Sequence, residues 1–441
     1  MATRKIAVVG GGSFGWTPAV VANILRCARL EGSEVVLFDL DPEALNLTHA
    51  LGQRYRAQSG SATTITATTN REQALDGAGY VVVTISTGGL EAMQVDLEVP
   101  ERYGIFQTVG DTVGPGGLAR ALRNVPVFLD LARAMEKHCP QAWMLNCSNP
   151  LSALTRVVSR ETSIRVVGLC HGVRNQVRAF ARFFGLDLEH CAYTNTGIDH
   201  CAWLTELVIG GRPAVDLLEE KGLEAWLHLP PAQGKEDPVF GSLYPSRCGL
   251  LLSRQLGALP GIGDRHLVEF LPGFLDGAGR AEYWGLKRTS IAERQQNRLK
   301  ARNRIEEQLN TPGELKLPEG SDDVAGWIGA LDGGPVIEDN LNVANLGQIP
   351  QLPLGAVVET RGLLDATGFR PLASPMPKEL EAIVRPHVLR QELTVEAALE
   401  GSFTKALVAL SSDPLVRPEH TRPMLEALLA GTRPWLPQFN R

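Results

Sequence analysis

The sequence predicts an α/β protein: a doubly wound parallel sheet in its first half, followed by an α+β half. Three features predict it: a strand-length apolar run that ends in a glycine cluster, an acidic residue closing the next apolar run, and continued strand–helix alternation as far as residue 170. Residues 4–10, RKIAVVG, are short and apolar, as a strand buried on both faces must be. In the GGGSFGW that follows, Gly10, Gly12 and Gly15 fit G-x-G-x-x-G. The first glycine permits a tight turn, the second lets backbone approach a pyrophosphate, and the third lets a helix pack close to the strand. Residues 17–30 can form that helix. Its first N–H groups, with the turn residues Ser13 and Phe14, then face the phosphates. EVVLFDLD is the second strand, ending in Asp39, 24 residues after Gly15. A carboxylate there accepts from the ribose hydroxyls of NAD+ and repels a 2′-phosphate.

The alternation continues. Residues 62–68 and 80–86 read as strands with REQALDGAG as a short helix and turn between them, residues 117–138 as a long helix, and residues 141–150 and 164–170 as two more strands. Six parallel strands make a Rossmann sheet whose ligand crevice lies beyond the strands' C-terminal ends. Thr84, Ser86, Asn146, Asn149 and Cys170 all fall at such ends, the first three as expected cofactor contacts. The division is therefore 1–170 for a dinucleotide-binding domain and 171–441 for an α+β catalytic and oligomerisation domain. In the second half, 286–309 reads as a charged, partly exposed helix. LPEGSDDVAGWIGALDGG reads as a surface loop leading into a helix, 354–371 as antiparallel strands, and 378–411 as two amphipathic helices.

Composition narrows the function classes. A net charge of −6 and the lack of a basic stripe argue against nucleic acid as a partner. No apolar stretch approaches the ~18 residues of a membrane span, and the N-terminus runs into a strand with no signal-peptide pattern. Seven scattered cysteines do not form a disulfide framework, so a reducing cytoplasm is expected.

VVGLCHGV and NTGIDHCAW place Cys170 at the end of a parallel strand and His200 thirty residues on. By residue type alone, a buried cysteine and a hydrogen-bonded histidine are ordinary core residues. At the mouth of a nicotinamide crevice, a thiolate and an imidazole instead suit a divalent ion such as Mn, Fe, Co, Ni or Zn, with positions left open for substrate oxygens. Nearby polar groups are Asp111 in FQTVGDTVGPGG, Asn149 in NCSNP, and Asp264, His266 and Glu269 in GIGDRHLVEF. Taken singly, each is a plausible turn or cap residue; the set points to chemistry.

At these residues the chain resembles glycoside hydrolase family four, the NAD- and metal-dependent glycosidases. The resemblance runs through VVGGGSFGWTP, FDLD, YGIFQTVGDTVGPGG, NCSNP, GLCHGV and GIDHCAW, covering residues 4–205. It implies a Rossmann domain followed by a lactate/malate-dehydrogenase-like α+β domain. It also implies NAD+ and Mn2+ as cofactors, metal ligation by Cys170 and His200, and a homodimer or homotetramer. Asp199 stands where the family often has asparagine. The implied reaction is oxidation at C3 of the sugar, removal of the C2 proton by a side-chain base, elimination of the C1 leaving group, then reversal. A ketone next to the C2 proton is what brings it within reach of such a base. The IGD segment implies Asp264 as base, with Tyr244 second. His171, the residue after the metal cysteine, or Asp111 is the expected acid, and Asn149 binds a sugar hydroxyl. The CHGV motif implies an α-linked hexoside without phosphate. Arg174, Arg178 and Arg265 leave open a sugar with an anionic C6 group: a glucuronide, a 6-phosphate or a sulfoquinovoside. SNP and CHG also echo 2-hydroxy-acid dehydrogenases, whose chemistry has no use for a cysteine–histidine metal pair, and a cofactor-binding regulator is the non-catalytic alternative.

Overall fold

The computed structural model describes residues 4–277, 279–318 and 323–439. Six strands form the parallel core: β1 Lys5–Val9, β2 Glu34–Phe38, β3 Thr64–Thr68, β4 Tyr80–Val83, β5 Trp143–Asn146 and β6 Arg165–Gly168. Their order, β3-β2-β1-β4-β5-β6, is the doubly wound order. The two-residue side-chain period divides each strand between two cores. Ala7, Val9, Val81, Val83 and Met144 face one cluster; Ile6, Val8, Tyr80, Val82 and Leu145 face the other. On the first face packs the helix Gly114–His138, through Leu118, Leu122, Val125, Phe128 and Met135. On the second packs the helix Thr17–Arg26, through Val20, Val21, Ile24 and Leu25. The sequence pattern starts the first of these helices at residue 117 and shows none at Gly89–Glu101, where the structure has one. Gly114, Gly116 and Gly117 hid the one start, and an interior proline, Pro100, weakened the other pattern.

The second half forms a small antiparallel sheet: β7 Cys191–Ile198, β8 Cys201–Ile209, β9 Arg212–Pro213 and β10 Leu259–Pro260. The chain then returns to the first sheet. β11 Ile337–Ala344, β12 Val357–Asp365 and β13 Gly368–Pro371 add antiparallel to its β6 edge, where Asn342 pairs with Gly168. The sequence shows these strands as antiparallel but not their neighbour. An otherwise open β6 edge is what they cover. The charged 286–309 segment is the helix Ile291–Asn310, in which only Ile305 is buried. The amphipathic pair is Lys378–Glu400 and Phe403–Ser411. The loop expected before the helix Val324–Leu331 includes residues 319–322, which lie outside the described residues. Among the described residues, no helix is long and apolar enough to cross a membrane.

Candidate active site

The glycine turn and the strand ends enclose a cavity of about 1080 Å³. Gly10, Gly12, Ser13, Phe14, Gly15, Asp39, Thr84, Ser86, Asp111 and Arg120 all line it. Gly10 has φ +97°, and a Cβ there would lie 2.3 Å from the Thr84 carbonyl oxygen, so only glycine fits. Asp39 also shapes the turn: Gly12 N–H donates to its Oδ2 at 2.8 Å, and Asp41 N–H to its Oδ1 at 3.1 Å. Asn146 does not line the cavity. It is fully buried, donating to Thr155 Oγ1 at 3.1 Å and accepting from Ser148 N–H at 2.8 Å, which fixes the loop after β5.

Beyond Asp111 lies a cluster of potential ligands. β7 and β8 meet in a two-residue hairpin whose tip is Asp199 and His200, and His200 takes a left-handed φ of +62°. The tip points inward: Asp199 is fully buried and His200 nearly so. One donor atom each from Cys170, Asp199 and His200 lie within 4.8 Å of one another; so do those of Asp111, His200 and His266. Thr112 Oγ1 sits 2.8 Å from His200 Nδ1 and holds the ring, and the His200 and His266 rings lie 3.9 Å apart.

The electrostatics of this cluster call for a cation. Asp199 has only loose partners among the described residues: His200 Nδ1 lies 3.6 Å from its Oδ2, and the Cys170 thiol is its other polar neighbour. Burial pushes its pKa up to about 7. Burial, with the Asp199 and Glu359 carboxylates, pushes the Cys170 thiol well above its usual range. Ionising such donors where they stand is costly, and a bound divalent ion offsets that cost. Cys170, His200 and the loosely partnered Asp199 thus fit a soft-to-borderline divalent metal.

Asp111 differs. Burial opposes its ionisation, but His266, His200 and Arg120 outweigh it and hold the pKa at about 2. Burial also drives His266 down to about 3 and lowers His200, so Arg120 is the cation that remains at neutral pH. Asp111 accepts from Thr112 Oγ1 at 2.8 Å and Asn149 Nδ2 at 3.3 Å, and Arg120 Nε donates to the Asn149 carbonyl at 3.0 Å. Glu269 secures the loop bearing Asp111, accepting from Val109 N–H at 2.6 Å and Gly110 N–H at 2.9 Å.

Other expected site residues are engaged elsewhere. Asp264 accepts from Cys248 N–H at 2.7 Å and Gly249 N–H at 3.0 Å, capping the helix Arg247–Leu256. Tyr244 is buried and donates to the Trp284 carbonyl at 3.0 Å. Arg265 donates to the Thr108 carbonyl at 3.2 Å and Thr289 Oγ1 at 3.0 Å, behind the Asp111 loop. Arg174 lies 3.5 Å from Asp339. His171 is exposed at the start of the helix Gly172–Phe183, close enough to Asp199 and His200 for its charge to act on both. As a helix cap, Asp264 is predicted to cost about 1–2 kcal/mol when replaced by alanine. The folded D264A enzyme should retain its kcat; a kcat loss with the melting temperature unchanged would return Asp264 to the chemistry. Sequence reasoning missed Arg120, which carries no motif of its own beyond lying in the first turns of the helix after GDTVGPGG.

A family model described as family 4 glycosyl hydrolase matches residues 5–185, and that family's C-terminal domain matches 195–416. The chain belongs to glycosyl hydrolase family 4. It is 33% identical over 430 residues to an α-galacturonidase of Bacillus subtilis (strain 168), covering 94% of this chain and 93% of that protein. The crystal structure of lplD from Bacillus subtilis superposes with a TM-score of 0.88 at 31% identity, covering 97% of this chain and 100% of that one. A 6-phospho-α-glucosidase from gut microorganisms, crystallised with NAD and Mn2+, shares the fold at TM-score 0.82 and 22% identity, with 99% of each chain covered.

Proposed function

We propose that this family 4 enzyme is an NAD+- and divalent-metal-dependent glycosidase that cleaves an α-linked uronide, a hexoside with a C6 carboxylate. The observation that carries the reading is the convergence of a cysteine sulfur, a buried carboxylate and a buried imidazole, those of Cys170, Asp199 and His200, in a chain that also holds a dinucleotide-sized cavity. When bound, NAD+ supplies reversible hydride transfer, and a divalent ion such as Mn2+ supplies Lewis-acid polarisation of sugar oxygens. Cys170, Asp199 and His200 would hold the ion, and the glycine turn and Asp39 would hold the dinucleotide.

The remaining residues position the sugar and move its protons. Asp111, ionised and lining the cavity, takes the C2 proton in place of Asp264, which does not line it and whose oxygens accept from the N–H groups of Cys248 and Gly249. Asn149, held against Asp111, donates to a sugar hydroxyl. His171 protonates the departing C1 oxygen from the exposed side, where an aglycone has room. Of the arginines that line the cavity, Arg120 is the one whose charge acts on Asp111, and its guanidinium complements a C6 carboxylate. The 33% identity to an α-galacturonidase supports the same substrate class.

The test is a panel of nitrophenyl α-galacturonide, α-glucuronide, α-galactoside, α-glucoside and the 6-phosphates, with NAD+ and Mn2+ under reducing conditions. A uronide should exceed its neutral counterpart in kcat/KM by about 100-fold, because only a C6 carboxylate gives the Arg120 guanidinium a charge-assisted contact to the sugar. Chelation by EDTA should abolish turnover and Mn2+ restore it, with solvent deuterium appearing at C2 of the product. Preference for a neutral hexoside removes the uronide assignment; turnover that survives chelation removes the metal.

A further inference from the structure

The helix Ile291–Asn310 buries almost nothing apolar, yet one face of it forms part of the wall of the dinucleotide cavity. Its cavity-facing residues are Arg294, Asn297, Arg298 and Ala301, the i, i+3, i+4, i+7 positions of one helical face. On an ordinary surface helix that stripe is apolar and packs on a core. Here it is cationic and polar, and it faces an open volume. Arg302 pairs with Glu43 at 2.6 Å, tying the helix to the helix Pro42–Ser59, and Tyr55 donates to Gln308 at 3.2 Å near its C-terminal end. The Arg298 guanidinium lies 5.9 Å from the centre of the Phe14 ring, on the glycine turn itself. Its nearest acidic partner is Asp41 at 3.6 Å, and its side chain is 60% exposed. A cation over the glycine turn with only a loose partner suits an anion held between turn and helix.

We infer that this helix is a cationic strap over the bound dinucleotide, and that Arg298 binds the pyrophosphate from the side opposite the glycine turn. The inference rests on the dinucleotide reading above. It makes cofactor affinity depend on the C-terminal half of the chain, held over the cavity by ion pairs.

Calorimetric titration of the full-length protein tests it without any turnover measurement. Wild type, Arg298→Ala and Arg298→Lys are each titrated with NAD+, ADP and adenosine. R298A should weaken NAD+ and ADP by about 10- to 100-fold, the range of a charge-assisted phosphate contact, and leave adenosine unchanged. R298K should recover most of the loss, and raising salt should weaken NAD+ binding more in wild type than in R298A. Equal NAD+ affinity in wild type and R298A overturns the strap and leaves the dinucleotide reading intact. An equal loss for adenosine and ADP also overturns it, since Arg298 then only shapes the cavity. No NAD+ binding by wild type overturns both readings.

Discussion

Cys170→Ser is expected to lower kcat by about 1,000-fold or more while leaving the protein folded. Metal polarisation supplies several kcal/mol of transition-state stabilisation, and about 4 kcal/mol corresponds to three orders of magnitude. A serine hydroxyl does not ionise near neutral pH and is a poor ligand for a borderline ion, so the proposed site loses its thiolate. The sulfur stands at the open end of β6, where its protein hydrogen bond is from Gly172 N–H at 3.4 Å. A serine oxygen can take that bond, so the melting temperature should move by only a few degrees. Metal content after dialysis, measured by mass spectrometry, should fall in C170S and remain in wild type. Full turnover in C170S with metal bound would take Cys170 out of the site.

Asp96→Ala is expected to cost about 3–5 kcal/mol of stability, the usual result of stranding one member of a buried ion pair. Asp96 and Arg123 are both fully buried and joined by two hydrogen bonds, of 2.7 and 2.5 Å. Burial raises the Asp96 pKa, and Arg123 partly offsets that. The pair ties the helix Gly89–Glu101 to the helix Gly114–His138. Arg123 Nε also donates to the Thr87 carbonyl at 2.9 Å, and Asn124 Oδ1 accepts from Thr87 N–H at 2.9 Å. Thr87 and Gly88 line the dinucleotide cavity, so losing Asp96 should loosen that wall as well as the core. Denaturant titration should show the loss, with a fall in melting temperature of roughly 3–5 °C. A double Asp96→Leu, Arg123→Met variant should recover most of it, since it buries no charge. A loss below about 1 kcal/mol would show that water reaches the pair.

The parts of the site legible in the sequence were those with local signatures. The glycine turn needs backbone freedom at particular spacings, and Asp39 closes the strand beside it. Cys170 stands out because it ends a strand, and the structure brings it to within 4.8 Å of Asp199 and His200. The IGD segment shows the limit of such reading. Asp264 and His266 lie two residues apart on the short helix Asp264–Leu267, and residues at that spacing do not face the same way. The carboxylate turns to the helix Arg247–Leu256, and the imidazole turns to Asp111 and His200. Nothing in the local residue pattern says which of the two faces the cleft.

By itself the sequence determined the parallel sheet, the dinucleotide turn and the charged character of residues 291–310, because strand period, glycine geometry and charge are properties of neighbouring residues. Tertiary structure alone decided that Asp111, His200 and His266 converge, that Asp199 is buried beside Cys170, that β11–β13 complete the first sheet, and that one face of a cationic helix lines the cofactor cavity. Each of these depends on contacts between segments far apart in the chain, and a local pattern carries no record of which distant surface will cover it.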